Sequence, residues 1–353
     1  MSESAASAAA VAMLPKYPGE APRDLSKPLE RLKILIDARL DGQRLDLALA
    51  AVLPWRSRAS IHRLIAGHHV RLDDREVPAS RRVRVGETIV VDIPPERVAS
   101  PDPGANVDFP ILYEDRWMVA VDKPPGLAVH PSGRRVDGTL IHALHRRYRN
   151  PDDQARDVVP RLLHRIDVET SGVVAVGLDE QFHYQVARQF EDREVKKTYL
   201  AVVHGRPEST SGTIELALAP DKKSSVRLKL TTTTEDHGLS AVTAYRVLRS
   251  NADYSLIEVA PRTGRTHQIR VHMAAIGCPL VGDKLYGGKE DHFLHMLAGT
   301  LTEEHRTELV LDRHALHSHT LTFFHPMLGR QFELVAPLPA DMAALIPDDS
   351  PPG

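Results

Sequence analysis

Residues 162–179 read LLHRIDVETSGVVAVGLD, and the fold turns on this stretch. A polar block from His164 to Gly172 runs directly into an apolar segment, GVVAVGL (172–178), which reads as a strand. Asp167, Thr170, Ser171 and Gly172 are residue types at home in a hydrogen-bonded turn. An Asp and a Glu flanked by Arg and hydroxyls ahead of a glycine can equally form a preorganised loop. Spacing alone leaves both readings open, with the plain turn ahead.

Outward from this stretch, WMVAVDKP (117–124), KTYLAVVHG (197–205), GLSAVTAYRVLR (238–249) and YSLIEVAP (254–261) read as further strands. GTLIHALHRRY (138–148) and HQIRVHMAAIG (267–277) read as helices. Strands outnumber helices and there is no βαβ rhythm, so the expected class is α+β with a mixed, largely antiparallel sheet. In APRTGRTHQIRVHMAAIG (260–277), Arg262, Arg265 and Arg270 surround a helix start that Thr266 could cap. Cations there oppose the helix dipole, so an anion is expected nearby. In REVKKTYLAVVHG (193–205), Tyr199 follows two lysines on a strand, where a lone tyrosine is ordinarily core.

VASPDPGANVD (98–108) is a linker candidate, and the region before it reads as a small α+β module. RLDLALAAVLP (44–54) puts Leu45, Leu47, Leu49 and Val52 on a mainly helical stripe ended by Pro54. SRASIHRLIAG (57–67) runs from a Ser57 cap to Gly67. VRLDDREVP and RRVRVGETIVVDIP alternate like short strands. Residues 55–84 hold eight arginines against three acids, although the net charge of the chain is −2. A local basic face, with Arg58 and Arg63 on the second helix, can track phosphates. A solvated surface helix is the competing reading.

At 353 residues, 42% hydrophobic and 26% charged, the chain has the profile of a soluble globular protein. Its single cysteine, Cys278, excludes an internal disulfide and any zinc site built on two thiolates. None of its 19 histidines falls in an HExxH spacing, and no metal is expected. No apolar run approaches the roughly 20 residues that cross a bilayer, and the N-terminus does not read as a secretory signal. A cytoplasmic location is therefore expected.

HRIDVETSG resembles the HRLDxxTSG signature of the RluA-type pseudouridine synthases. Four further blocks resemble that family in order: EDRWMVAVDKPPGLAVHP (114–131), KKTYLAVVHG, GRTHQIRVHMAAIGCPLVGDKLYG (264–287) and LHSHTLTFFHP (316–326). Residues 43–93 resemble the small RNA-binding module named after ribosomal protein S4. They depart from it at GHHVRLDDREV, where that module carries a compact G-x-V-x-V-N-G turn.

Composition gives a disordered arm over 1–30, a linker over 97–107 and a frayed tail over 341–353. The resemblance places an S4-like RNA-binding domain over 31–96 and a pseudouridine synthase domain over 108–340. It implies isomerisation of uridine in structured RNA, most naturally large-subunit ribosomal RNA, by a monomer that needs no cofactor. Transfer RNA is the alternative substrate, and an RNA-binding ribosome-assembly factor with secondary catalysis the alternative role. Asp167 is implied as the catalytic carboxylate, Arg265 as its guanidinium partner with Arg270 as second candidate, and Tyr199 as the residue packing on uracil. Arg165 and Thr170 are implied to shape the loop or touch RNA, and Arg165 and His164 sit where they could fill the space a flipped base vacates. A retaining glycosidase would instead need a second carboxyl group roughly 5 Å from the first, for which Glu169 is the neighbour in sequence.

Overall fold

A computed structural model of the chain describes residues 31–53, 58–92, 108–131, 138–150, 153, 156–234 and 238–347. The expected arm over 1–30, the linker over 97–107, and the Ser57 and Pro54 helix ends lie outside the described residues. Two compact units emerge: the described residues of Met1–Asn106 with those of His130–Val159, and those of Val107–Val129 with those of Pro160–Gly353. The stretch His130–Val159, inside the expected synthase domain over 108–340, groups with the first unit.

The first unit contains β1 (Arg31–Leu35), α1 (Leu45–Val52), α2 (Arg58–Ala66), β2 (Val70–Leu72) and β3 (Thr88–Asp92). Its antiparallel sheet runs β1-β3-β2. Leu45, Ala48, Leu49 and Val52 repeat at helical spacing and are buried, whereas Leu47 is exposed. Ala48 therefore takes the place on the apolar stripe that Leu47 was expected to fill. The departure at GHHVRLDDREV closes as a tight hairpin. Asp73 and Asp74 both take positive φ, as the two central residues of a type I′ turn must, and Leu72 and Arg75 exchange both backbone hydrogen bonds. Asp tolerates this conformation, and the Asp73 carboxylate also accepts from the Thr88 N–H at 2.8 Å. The stretch His130–Val159 carries α3 (Leu140–Tyr148), capped at Thr139 through a reciprocal bond with His142.

The second unit is built on one large sheet. Its strands in chain order are β4 (Ile111–Glu114), β5 (Met118–Lys123), β6 (Arg161–Leu162), β7 (Ser171–Gly177), β8 (Lys196–His204), β9 (Ser211–Glu215), β12 (Val242–Ser250), β13 (Tyr254–Pro261), β14 (Leu316–His325) and β15 (Arg330–Val335). A separate hairpin pairs β10 (Ala217–Pro220) with β11 (Leu230–Thr233). The main path is β4-β5-β7-β14-β8-β13-β12-β9, with β6 beside β7 and β15 beside β14. Among the described residues, β7 against β14 is its one parallel pairing, so the sheet is mixed and largely antiparallel, and the class is α+β as expected.

That parallel seam demands a glycine. Gly172 stands at φ +107°, and a Cβ there would lie 2.2 Å from the Ser318 carbonyl oxygen. Beyond the seam, β7 is buried along its whole length, which explains its uninterrupted apolar run.

Helices of this unit are α4 (Glu180–Glu191), α5 (Gln268–Ala275), α6 (Asp291–Ala298), α7 (Glu303–Leu309) and α8 (Ala340–Ala343). The tail expected to fray over 341–353 begins instead as packed structure. Met342 and Ile346 are buried against Leu200, Val202 and Leu256. No helix among the described residues is long and apolar enough to cross a membrane.

Candidate active site

The register of β14 assembles the site. Ser318 pairs with Gly172 of β7 on one side and with Tyr199 of β8 on the other. The polar block just before β7 and the tyrosine of β8 therefore face one another across a single strand. On the far side of β8, Tyr199 pairs with Val259 of β13, whose exit at Pro261 leads through Thr263–His267 into α5. Three stretches far apart in sequence thus line one cleft of about 270 Å³, near the lower end of the ~300–1,000 Å³ usual for ligand pockets. Its walls include His164, Arg165, Asp167, Lys197, Tyr199, Arg265, His267 and Arg270.

The block around Asp167 is tied down residue by residue. The Val168 carbonyl accepts from the Lys123 amine at 3.0 Å and from the Gly126 N–H at 2.8 Å. Lys123 is fully buried and donates also to the carbonyls of Pro124 and Leu127. Glu169 accepts from Lys284 at 2.8 Å and from the His314 N–H at 3.2 Å. Thr170 shares a hydrogen bond with His314 at 2.7 Å, and Ser171 with His317 at 2.9 Å. Glu169 is bound to Lys284 and is not among the residues lining the cleft, which removes the glycosidase reading. The Thr170 hydroxyl is engaged by His314, so Thr170 shapes the loop.

Asp167 itself points into the cleft, its side chain 28% exposed. Its Oδ2 accepts from Arg270 Nη1 at 3.3 Å, while Oδ1 accepts no hydrogen bond among the described residues. The partner is therefore Arg270, not Arg265 as expected. Arg265 precedes the helix, and its Nε donates to the Ser240 carbonyl at 3.2 Å. Arg270 sits one turn inside α5, on the face turned to the loop. Asp283 fixes it there in a bidentate pair, receiving Nε at 2.7 Å and Nη2 at 2.9 Å. Asp283 is wholly buried and is itself set by the N–H groups of Leu285 and Tyr286.

Burial alone would push the Asp167 carboxyl up. The Arg270 charge, aided by its hydrogen bond to the carboxylate, outweighs it and leaves the group below its ordinary value. Burial likewise opposes ionisation of Asp283, yet Arg270 holds it well below the usual carboxylate range. Arg270 between two carboxylates is raised further, despite its own burial.

The histidines around the site are neutral by desolvation. Burial lowers His267 to about 4 and both His314 and His164 to about 3. His267, not Thr266, stands at the N-cap position of α5, in the left-handed region with no side-chain cap bond. The Tyr286 hydroxyl accepts from the Leu230 N–H and shares a hydrogen bond with His267 Nδ1 at 2.9 Å. His164 is committed elsewhere: Nε2 accepts from the Ala175 N–H, and its ring stacks on Phe190. It is thus not available to fill the space of a flipped base. Burial pushes the Tyr199 phenol up to about 12, with the Asp167 charge adding to the effect. A phenol so raised stays protonated and is a poor base. Arg58 and Arg63 are exposed on α2 in the first unit.

Lys123, Asp283, His267 and His314 had not stood out in the sequence. Asp283 and His267 lie inside the arginine block and Lys123 inside the first block, but no local pattern marks them as anchors.

The chain matches the RNA pseudouridylate synthase family over residues 117–275. It is 37% identical over 333 residues to an uncharacterized RNA pseudouridine synthase of Chloroflexus aurantiacus, an alignment covering 93% of this chain and 96% of the relative. It is also 37% identical to the ribosomal large subunit pseudouridine synthase D of Xanthomonas campestris, covering 86% of this chain and 88% of that one. Among solved structures, human RNA pseudouridylate synthase domain containing 1 shares the fold with a TM-score of 0.53 at 24% identity, over 70% of this chain and 89% of that one. The chain belongs to the RluA/RluD-type family of RNA pseudouridine synthases, and it is an enzyme of that class.

Proposed function

We propose that the enzyme converts specific uridines of large-subunit ribosomal RNA to pseudouridine without a cofactor, using Asp167 as the reacting carboxylate. The observation that carries this reading is the placing of Asp167: it lines a cleft of about 270 Å³, with one oxygen held by Arg270 and no hydrogen bond to the other among the described residues. The reaction breaks the bond from uracil N1 to the ribose anomeric carbon, turns the base and rejoins it through carbon 5. The carbon 5 proton is replaced by one on N1, so the isomerisation is atom-balanced. Oδ1 is placed either to attack the anomeric carbon or to take the neighbouring ribose proton. Arg270 keeps the carboxylate charged when RNA covers the cleft and expels water.

Tyr199 offers its ring face to the base, and its raised phenol suits packing better than proton removal. Arg165, exposed beside Asp167, is the candidate for supporting the strand around the flipped nucleotide, a flip that costs a few kcal/mol. The first unit serves as an S4-like RNA-binding module through Arg58 and Arg63. Large-subunit ribosomal RNA is favoured because the Xanthomonas campestris relative is named for that substrate. The enzyme acts as a monomer in the cytoplasm.

Asp167→Asn is isosteric and should abolish pseudouridine formation while leaving RNA binding intact; persistence of the product in that variant overturns the catalytic role. Sequencing pseudouridines in total RNA from a deletion strain tests the substrate. Sites lost only from transfer RNA would replace ribosomal RNA as the target.

A further inference from the structure

We infer that Lys197 is a phosphate-binding residue of the cleft, its ammonium receiving a backbone phosphodiester of the RNA whose uridine occupies the site. The inference rests on reading the cleft as a uridine site. It begins from three of the cations there. Arg270 is shared between Asp283 and Asp167, and Arg265 gives its Nε to a carbonyl. Lys197 differs: among the described residues its ammonium has no carboxylate within ion-pair distance and no hydrogen bond. Its neighbours are the Phe190 ring, with the amine 5.8 Å from the centroid, and the neutral ring of His164. Gly264 lies close by, and a Cβ built on it would stand 3.6 Å from the amine, an ordinary van der Waals contact.

An ammonium withdrawn from water without a partner is costly, and burial alone lowers the Lys197 pKa. Other buried or half-buried cations of this unit have partners: Lys123 has three carbonyls, Lys284 has Glu169, and Lys229 has Glu290. The missing counter-charge at Lys197 is one that a bound anion would supply. RNA brings such a charge at every nucleotide.

Strand geometry places that charge suitably. Lys197 and Tyr199 both line the cleft while Thr198 between them does not, as alternation along β8 requires. Residues two apart on a strand are separated by about 6.8 Å, a spacing comparable to that between a base and its own phosphate. A base packed on Tyr199 can therefore present its phosphodiester to Lys197. Lys196, next in the chain, is exposed on the opposite face and does not line the cleft.

The test measures binding of the full-length protein to an unmodified large-subunit ribosomal RNA transcript across a salt series, with pseudouridine formation followed in parallel. Wild type, Lys197→Met, Lys197→Arg and Lys196→Met are compared after thermal melting confirms that each is folded. Lys197→Met should weaken binding about tenfold and reduce the slope of log affinity against log salt by close to one phosphate's worth, roughly 0.7 for single-stranded RNA. Lys197→Arg should restore the slope. An unchanged slope in Lys197→Met overturns the proposal, whether or not the wild type forms pseudouridine. An equal loss in Lys196→Met also overturns it, since the effect would then belong to general surface potential. A reduced slope specific to Lys197, with no product from the wild type, supports the phosphate contact and counts against the assigned activity.

Discussion

Helices α2 and α5 both carry arginines on a short polar-and-apolar pattern, and in the sequence they look alike. In the structure they are opposites. Arg58 and Arg63 of α2 are exposed, whereas the Arg270 side chain of α5 is only 8% exposed and gripped between two carboxylates. The difference comes from neighbours contributed by distant chain: Asp283 follows α5, and Asp167 precedes β7. One arginine type therefore serves two ends. Exposed, it offers long-range attraction that salt screens; buried and shared, it sets the charge and direction of a carboxylate in the cleft.

The sharpest way to break this contrast is Arg270→Met. Asp283 would be left buried and uncompensated, at a cost of about 3–5 kcal/mol, and Asp167 would lose its guanidinium. Thermal melting and pseudouridine assays should show both losses, and Arg270→Lys should recover little, because an ammonium cannot reproduce the fork. Asp283→Asn comes next. It keeps hydrogen bonding but removes the anchoring charge, so a loss of ~1–3 kcal/mol is expected, with the fall in turnover residing in kcat more than KM. A rise in KM with kcat unchanged would show that Asp283 does not position Arg270 for chemistry.

Acid titration probes the same buried surroundings. His164, His267, His314 and His317 all sit below their ordinary value because burial disfavours the charged ring. The unfolded chain protonates first, near 6.5, so stability should erode as pH falls from about 6.5 towards 4. The lowered carboxyls of Asp167 and Asp283 extend that loss below about 4. A melting temperature flat from pH 7 to 4 would contradict the neutral assignment. The smallest expected effect lies on α2. Arg58→Ala with Arg63→Ala should leave stability within about 0.5 kcal/mol while flattening the salt dependence of RNA binding.

Much of the second unit was legible because its strands are continuous apolar runs, and burial on both faces writes itself into composition. Helix α4 was not. EQFHYQVARQFE buries only Phe182 and Val186, so its polar face hides the periodicity until Asp179 is seen capping Phe182. Asp167 and Tyr199 are marked in the sequence only by the resemblance of their blocks to the family, and the structure brings both into one cleft. Arg265 and Arg270, the first and second candidates for the partner of Asp167, lie in one motif, and only the turn of α5 decides which side chain meets the loop. Lys123 could not be found by pattern, since three carbonyl acceptors leave no trace in sequence.

Strand β14 has a consequence for how the enzyme comes into being. It lies between β7 and β8 although it is made of residues Leu316–His325, and the bond from Thr170 to His314 spans 144 positions. Until that late segment inserts, the halves carrying Asp167 and Tyr199 have no strand joining them. Contacts of such long range are slow to form. Activity should therefore appear only after residues Leu316–His325 have left the ribosome, and a chain cut before residue 316 should show none of it.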